Sequence, residues 1–494
     1  MSTTTKHPKA LYTLFATEMW ERFSYYGMRA LLTLYLTAEL VNGGFGLERQ
    51  EALAIYGIFT GLVYLTPILG GWVADKFLGK RKTVYIGGLV MAVGQLLLAS
   101  SSFMMSSVDV ATRLFIFNFG LGVLIIGNGF FKPNISTIVG DFYDDNDPRK
   151  DSAFNIFYMG INLGAILGPF IAGALGENVY WGYGYLAAAI GMIIGVLWMK
   201  TREASLEDKG LPPNTANGKL VLDGKDWRDI IIYAIGLVVV TFLLVFLWRM
   251  IPDNVANIVT IVGFVVGVLG LGYVIVQGTN GADEWTRMIV ILVLAFFNVA
   301  FWAGFEQAGG TLNLFAAENT NRVLFNWTIP ATWFQNINPI AILIFAPIFS
   351  IMWLKLDAMK LNPRTPIKFA IGLFLGAFAF WIMTQASHLA EGGKLISPMW
   401  LVAVYVILTL GELMLSPIGL SMITKLAPKK LVSVVMGLWM ASFAAGNYLA
   451  AMLESILQKY DFELYPFITM LMLGSGICLV LLSPFLNKFM KGIH

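Results

Sequence analysis

The chain has 494 residues, 57% of them hydrophobic and only 13% charged. A soluble globular chain carries about a quarter charged residues, so this composition excludes a soluble protein and calls for many membrane-spanning helices. The formal charge of +3 excludes nothing by itself; the placement of the charges is what informs.

Apolar stretches near 20 residues predict fourteen membrane helices. They lie at roughly 11–38, 52–75, 83–103, 113–140, 152–175, 183–200, 229–250, 255–277, 285–310, 330–355, 367–387, 398–424, 431–454 and 464–487. The first is unusual. Glu18, Glu21, Arg22 and Arg29 sit inside it, and a charge at membrane depth costs at least a few kcal/mol. At about 100° per residue, Glu18, Glu21, Arg22, Tyr25 and Arg29 share roughly one third of the helix circumference. Such charges are tolerated where they pair and line a polar path. The stretch is also too long and too charged for the apolar part of a cleavable signal peptide.

Further along, Gly70-Gly71-Trp-Val-Ala-Asp75 leads into the basic run Lys80-Arg81-Lys82, a tight-turn loop between the second and third spans. The second half has a faint echo of it in Asp357, Lys360 and Arg364. Lys132 stands inside the fourth span, before Pro133 and Asn134. Thr201–Asp229 is polar, with Pro212 and Pro213, and reads as a linker. The two spans after it hold no charge and read as packing or peripheral helices. Glu306 and Glu412 are the remaining charges at depth, each in an apolar helix of the second half. Tyr25, Tyr26, Tyr64, Trp302 and Trp439 lie at similar depths. Gly129, Pro133, Pro169, Pro347 and Pro417 permit local unwinding beside a cavity.

The expected organisation is all-α: an N-terminal six-helix bundle over 1–200, a cytoplasmic linker over 201–228, two additional helices over 229–280 and a C-terminal six-helix bundle over 281–494. Of the 33 Lys and Arg, 24 fall in one set of loops and the tails, six in the other set, and three inside spans. The positive-inside rule then puts both termini in the cytoplasm. The first half holds cations at depth and the second only carboxylates, which predicts a polar cavity with opposite charges on its walls, suited to a zwitterion. Arg29 and Lys132 could hold a carboxylate, and Glu412 an ammonium group.

No phosphate-binding loop of the Gly-x-x-x-x-Gly-Lys-Ser/Thr type occurs, so ATP-driven transport is not expected. His7, His388 and His494 are scattered, and Cys478 is the single cysteine; neither a metal site nor a disulfide is expected. No nucleophile stands with a base. The reading is a transporter driven by an ion gradient rather than an enzyme, with no cofactor beyond protons as the coupling ion and no nucleic-acid partner.

Specific motifs then carry a resemblance. They are Glu18-x-x-Glu21-Arg22 with Phe23 and Tyr25-Tyr26-Gly27; Gly70-Gly71-x-x-Ala74-Asp75; Lys132-Pro133-Asn134; Phe157-Tyr158-x-x-Ile161-Asn162-x-Gly164; Phe301-Trp302 followed by Glu306-Gln307; Gln335-Asn336-Ile-Asn338-Pro339; and Gly411-Glu412-Leu followed by Ser416-Pro417. In these the chain resembles bacterial proton-coupled oligopeptide transporters of the major facilitator superfamily, over nearly its whole length outside the linker and helix pair. The resemblance implies two six-helix bundles plus two helices, and proton-driven import of di- and tripeptides across the inner membrane by a monomer. It implies that Arg29 and Lys132 bind the peptide carboxylate, and that Asn162, Asn338 and Glu412 hold its amino terminus. Tyr25, Tyr26, Tyr64, Trp302 and Trp439 would line side-chain pockets. Glu18, Glu21, Arg22 and Glu306 would couple protons, with Glu306 exchanging partners with Lys132, and Arg49 and Glu318 match an outer gate. Ala165 departs from the usual Ser.

Two other expectations compete. The same fold could carry nitrate or another small anion or zwitterion, although an anion has no use for Glu412. A non-transporting peptide receptor should show a sizeable soluble domain, and the longest loop here is about 30 residues.

Overall fold

The computed structural model describes residues 6–490, apart from positions 106, 145, 146, 148 and 429 and most of 213–274. The helix expected at 229–250 lies outside the described residues, as does most of the one expected at 255–277. Chain contacts divide the molecule into two units. One is Met1–Leu247 with Ile329–Pro339; the other is Trp248–Thr328 with Ile340–His494.

The first unit contains α1 (Lys9–Thr37), α2 (Arg49–Leu65), α3 (Pro67–Val73), α4 (Lys80–Phe103), α5 (Val110–Gly140), α6 (Lys150–Gly168), α7 (Ala174–Asn178) and α8 (Trp181–Thr201). Pro67 has no N–H to give and splits the second span into α2 and α3. The Thr66 hydroxyl there donates to the Ile125 carbonyl at 3.1 Å. Single π turns follow at Ala74–Leu78 and at Pro169–Gly173. The short pairs β1 (Thr215–Ala216) and β2 (Lys219–Leu220) run antiparallel.

The second unit contains α9 (Gly281–Phe305), α10 (Thr311–Glu318), the hairpin β3 (Val323–Leu324) and β4 (Trp327–Thr328), most of α11 (Ile337–Ala358), α12 (Thr365–Leu389), α13 (Met399–Leu426), α14 (Val432–Gln458) and α15 (Leu464–Phe489). The ninth span does not run as one helix to 310. It breaks at a 3-10 turn, Glu306–Gly309, and resumes as α10. Glu306 therefore sits at a helix break rather than inside a continuous helix.

Ten described helical segments are long and apolar enough to cross a membrane. Large apolar side chains such as Leu197, Phe296 and Leu481 face outward, as lipid requires. At 29 residues, α1 spans about 43 Å, beyond the ~30 Å of hydrocarbon, but it carries its charges inside. Helices in lipid approach closely through small residues. A Cβ at Gly70 would lie 1.9 Å from the Gly129 carbonyl oxygen, and one at Gly164 would lie 2.2 Å from that of Met19. The first contact seats α3 on α5 and the second seals α6 onto the charged stretch of α1.

Three groups add to the sequence reading. Arg113, where the predicted fourth span begins, lies in the first turn of α5 and is fully buried. It donates to the Ser101 carbonyl at 2.9 Å, and to the Tyr35 hydroxyl and the Gly43 carbonyl at 3.1 Å each. Glu454, where the predicted thirteenth span ends, is buried within α14 and adds a carboxylate at depth. The start of the polar linker is anchored to α4. Arg81, buried at the start of α4, donates to the carbonyls of Leu206, Glu207 and Lys209, and its N–H reaches the Gly210 carbonyl at 2.9 Å.

Outside the membrane helices, the loop between α5 and α6 has its own ion pair. Arg149 Nη2 donates to the Asp147 carboxylate at 2.7 Å, and the Arg149 backbone N–H does so at 2.9 Å. The arginine's hydrogen bonds hold the Asp147 carboxyl down at about 2. Arg149 Nη1 also donates to the Lys6 carbonyl at 2.9 Å, tying down the N-terminal tail.

Candidate functional site

The first unit gathers its polar groups on α1. Glu18, Glu21 and Arg22 are buried together. Arg22 Nε lies 3.0 Å from Glu18 Oε1 and also pairs with the Glu21 carboxylate. The helical repeat brings Glu18 one turn from Arg22 on the same face. Asn128 of α5 adds a third partner, its Nδ2 donating to Glu21 Oε1 at 3.1 Å. The Arg22 guanidinium also stands 5.6 Å from the Tyr25 ring centre.

Beside this cluster lies a half-buried basic rim. Arg29 Nε donates to the Tyr56 hydroxyl at 2.8 Å, with its guanidinium near the Tyr26 and Tyr56 rings. Lys132 Nζ lies 4.2 Å from the centre of the Tyr64 ring. The cation–aromatic contacts orient both cations while leaving them half-exposed. Glu18, Glu21, Arg22 and Lys132 cancel formally, and Arg29 leaves the group one positive charge in excess. A single added proton raises that excess. A proton added to either carboxylate would strengthen the group as an anion seat.

Asn162 is buried in α6, its Nδ2 donating to the Tyr158 carbonyl at 3.0 Å. Asn338, half-buried at the second position of α11, belongs to this same unit. Arg49 opens α2.

In the second unit, Glu306 is buried at its helix break and Glu412 is half-buried in α13. Trp302 packs on Phe305 and Phe443 at 4.8 and 4.6 Å between ring centres. Trp439 is fully buried at 0% exposure, edge-on to Phe369 and Phe443. Phe443 thus touches both Trp302 and Trp439. Glu318 closes α10. Gln307, next to Glu306, donates to the carbonyls of Ala303 and Ala450 and accepts from the Thr311 hydroxyl at 2.7 Å. Among the described residues no group of His, Cys, Asp and Glu comes together to hold a metal.

Sequence reasoning missed Asn128, Tyr56 and Glu454. Asn128 stands one turn before Lys132 between two glycines, and that small-polar-small setting inside an apolar span was the available signal. Tyr56 carried none beyond its aromatic character.

A multi-pass helical protein with a charge-paired cluster buried in its first span and a basic rim beside it is a secondary transporter, not an enzyme. The chain belongs to the POT family, whose model matches residues 81–470. Among relatives, the peptide transporter YePEPT of Yersinia enterocolitica subsp. palearctica is 36% identical over 476 residues, 93% of this chain and 90% of that protein. The di-/tripeptide transporter of Lactococcus lactis subsp. cremoris is 35% identical over 501 residues, 99% of this chain and 97% of that one. A crystal structure of the peptide transporter POT in complex with sulfate superimposes with a TM-score of 0.86 at 36% identity, covering 99% of this chain and 97% of the other. The fold is accordingly the major facilitator fold of that family.

Proposed function

We infer that this chain imports di- and tripeptides with protons by alternating access. It works as a monomer in the cell inner membrane with both termini cytoplasmic. The observation that carries this reading is the buried group in the first unit: two carboxylates, Glu18 and Glu21, sharing Arg22, with Lys132 and Arg29 alongside. The names of the relatives supply the substrate class.

The cycle begins with a proton from outside binding to Glu18, Glu21 or Glu306. The released basic charge is then satisfied by the peptide carboxylate on Arg29 and Lys132. Asn162, Asn338 and Glu412 take the amino group. Tyr25, Tyr26, Tyr64, Trp302 and Trp439 line the side-chain pockets. The halves rock about the midplane site, with Arg49 and Glu318 serving the outer gate. Peptide leaves inward, and the proton follows as the carboxylate regains its cation.

Proteoliposome uptake of labelled dialanine, with and without an inward proton gradient, tests the reading. Accumulation above equilibrium only with the gradient is expected, with loss of accumulation in Lys132→Ala and loss of gradient drive in Glu306→Gln. Uptake of nitrate with none of dialanine would replace it by the anion reading.

A further inference from the structure

Residues 329–339 come late in the sequence yet cluster with the first unit. One side chain grips them there. Glu177, in the short helix α7, accepts from the Ala331 N–H at 2.8 Å and from the Thr332 N–H at 2.9 Å. It also accepts from the Thr332 hydroxyl at 2.7 Å. These residues open the 3-10 turn Ala331–Asn336, and the first amides of a helical segment have no partner inside it. A carboxylate suits them because their N–H groups all point at it. Next to this grip, the Trp333 indole N–H donates to the Phe170 carbonyl at 3.1 Å, and the two rings stack at 4.3 Å.

A cap supplied from neighbouring sequence would be present in every conformation. This one comes from 154 residues away, so it exists only while α7 and the turn stay together. Parting them strips two amides and a carboxylate of charge-assisted bonds, roughly twice as strong as neutral ones. The location matters because α6, just upstream of α7, carries Asn162, and the gripped turn runs directly into Asn338.

We propose that Glu177 is a positioning residue: its grip on the 331–336 turn holds Asn338 in one frame with Asn162, and its release lets Asn338 leave that frame during transport. The role of the two asparagines rests on the peptide reading above; the grip itself does not.

The full chain in a Cys478→Ser background, spin-labelled at the exposed positions Val179 (64%) and Phe325 (95%), reports the grip without substrate. In Glu177→Gln, which keeps the shape but puts an amide N–H against a backbone N–H, the distance distribution should lengthen and broaden. The KM for dialanine should rise about tenfold, and the preference for free over N-acetylated dialanine should fall in step. Thr332→Val, lacking one of the three bonds, should move the same readouts less. An unchanged distribution in both variants overturns the grip. A shifted distribution with the amino-group preference intact overturns the positioning role. A wild-type protein that accumulates no dialanine would sink the peptide reading, while the distances would still judge the grip.

Discussion

Replacing Asn128 with Leu should move the proton dependence of uptake to higher pH. The Asn128 amide donates to Glu21 Oε1 at 3.1 Å inside the bilayer, and a donor there favours the ionised carboxylate. A hydrogen bond to a charged group contributes about 1.5–3 kcal/mol. At about 1.4 kcal/mol per pH unit, its removal corresponds to a shift of about 1–2 units. The sign follows directly: without the donor the protonated form gains relative to the ionised one, so the proton is held at higher pH. Leu is a clean replacement because Asn128 Oδ1 has no protein partner to orphan. The assay is initial-rate uptake of labelled dialanine in proteoliposomes from pH 5 to 8.5. A half-maximal pH that stays put or falls would refute the assignment of Asn128 as a partner of the coupling carboxylate.

Other perturbations follow from the same geometry. Arg22→Met leaves two buried carboxylates without their shared cation, a change that costs about 3–5 kcal/mol; the melting temperature should drop, and drop less at pH 5 than at pH 8 because protonation removes the orphaned charge. Arg81→Ala removes the donor that holds three carbonyls of the 206–209 stretch, so tryptic cleavage at Arg202 or Lys209 should accelerate at least about tenfold, as an opening equilibrium shifted by about 1.4 kcal/mol requires. The Asp147 carboxyl is held at about 2 by Arg149, below the ordinary value near 4. Its contribution to stability is therefore complete above pH ~4 and lost as pH falls through about 2. The melting difference between wild type and Asp147→Asn should be flat from pH 8 to 5 and shrink below pH 4, which separates this loop from the pH dependence of transport.

The charged face of α1 was legible in the sequence because a single helix sets it: Glu18 and Arg22 are one turn apart and Glu21 adjoins them. Span positions were legible for the same local reason. What escaped were contacts between elements distant in the chain. Asn128 acquires its role from α1, Tyr56 from Arg29, and Glu177 from a turn far downstream; no spacing within one helix encodes these. The interruption at Glu306–Gly309 also escaped, although Gly309-Gly310 marks its end, because the apolar run carries on through it.

The backbone seal of α6 on α1 and the Asn128 bond set an order for biogenesis. α1 reaches the translocon before α5 and α6, and each charge at its centre opposes insertion by about 2.5–3.5 kcal/mol. Its partner Asn128 lies 107 residues later, and Gly164 later still. At about 5–20 residues per second, the nascent first helix waits roughly 5–20 s before that partner is even synthesised. A helix that emerges ahead of α5 and α6 is thus completed late, and it depends on whatever retains it beside the translocon until they arrive.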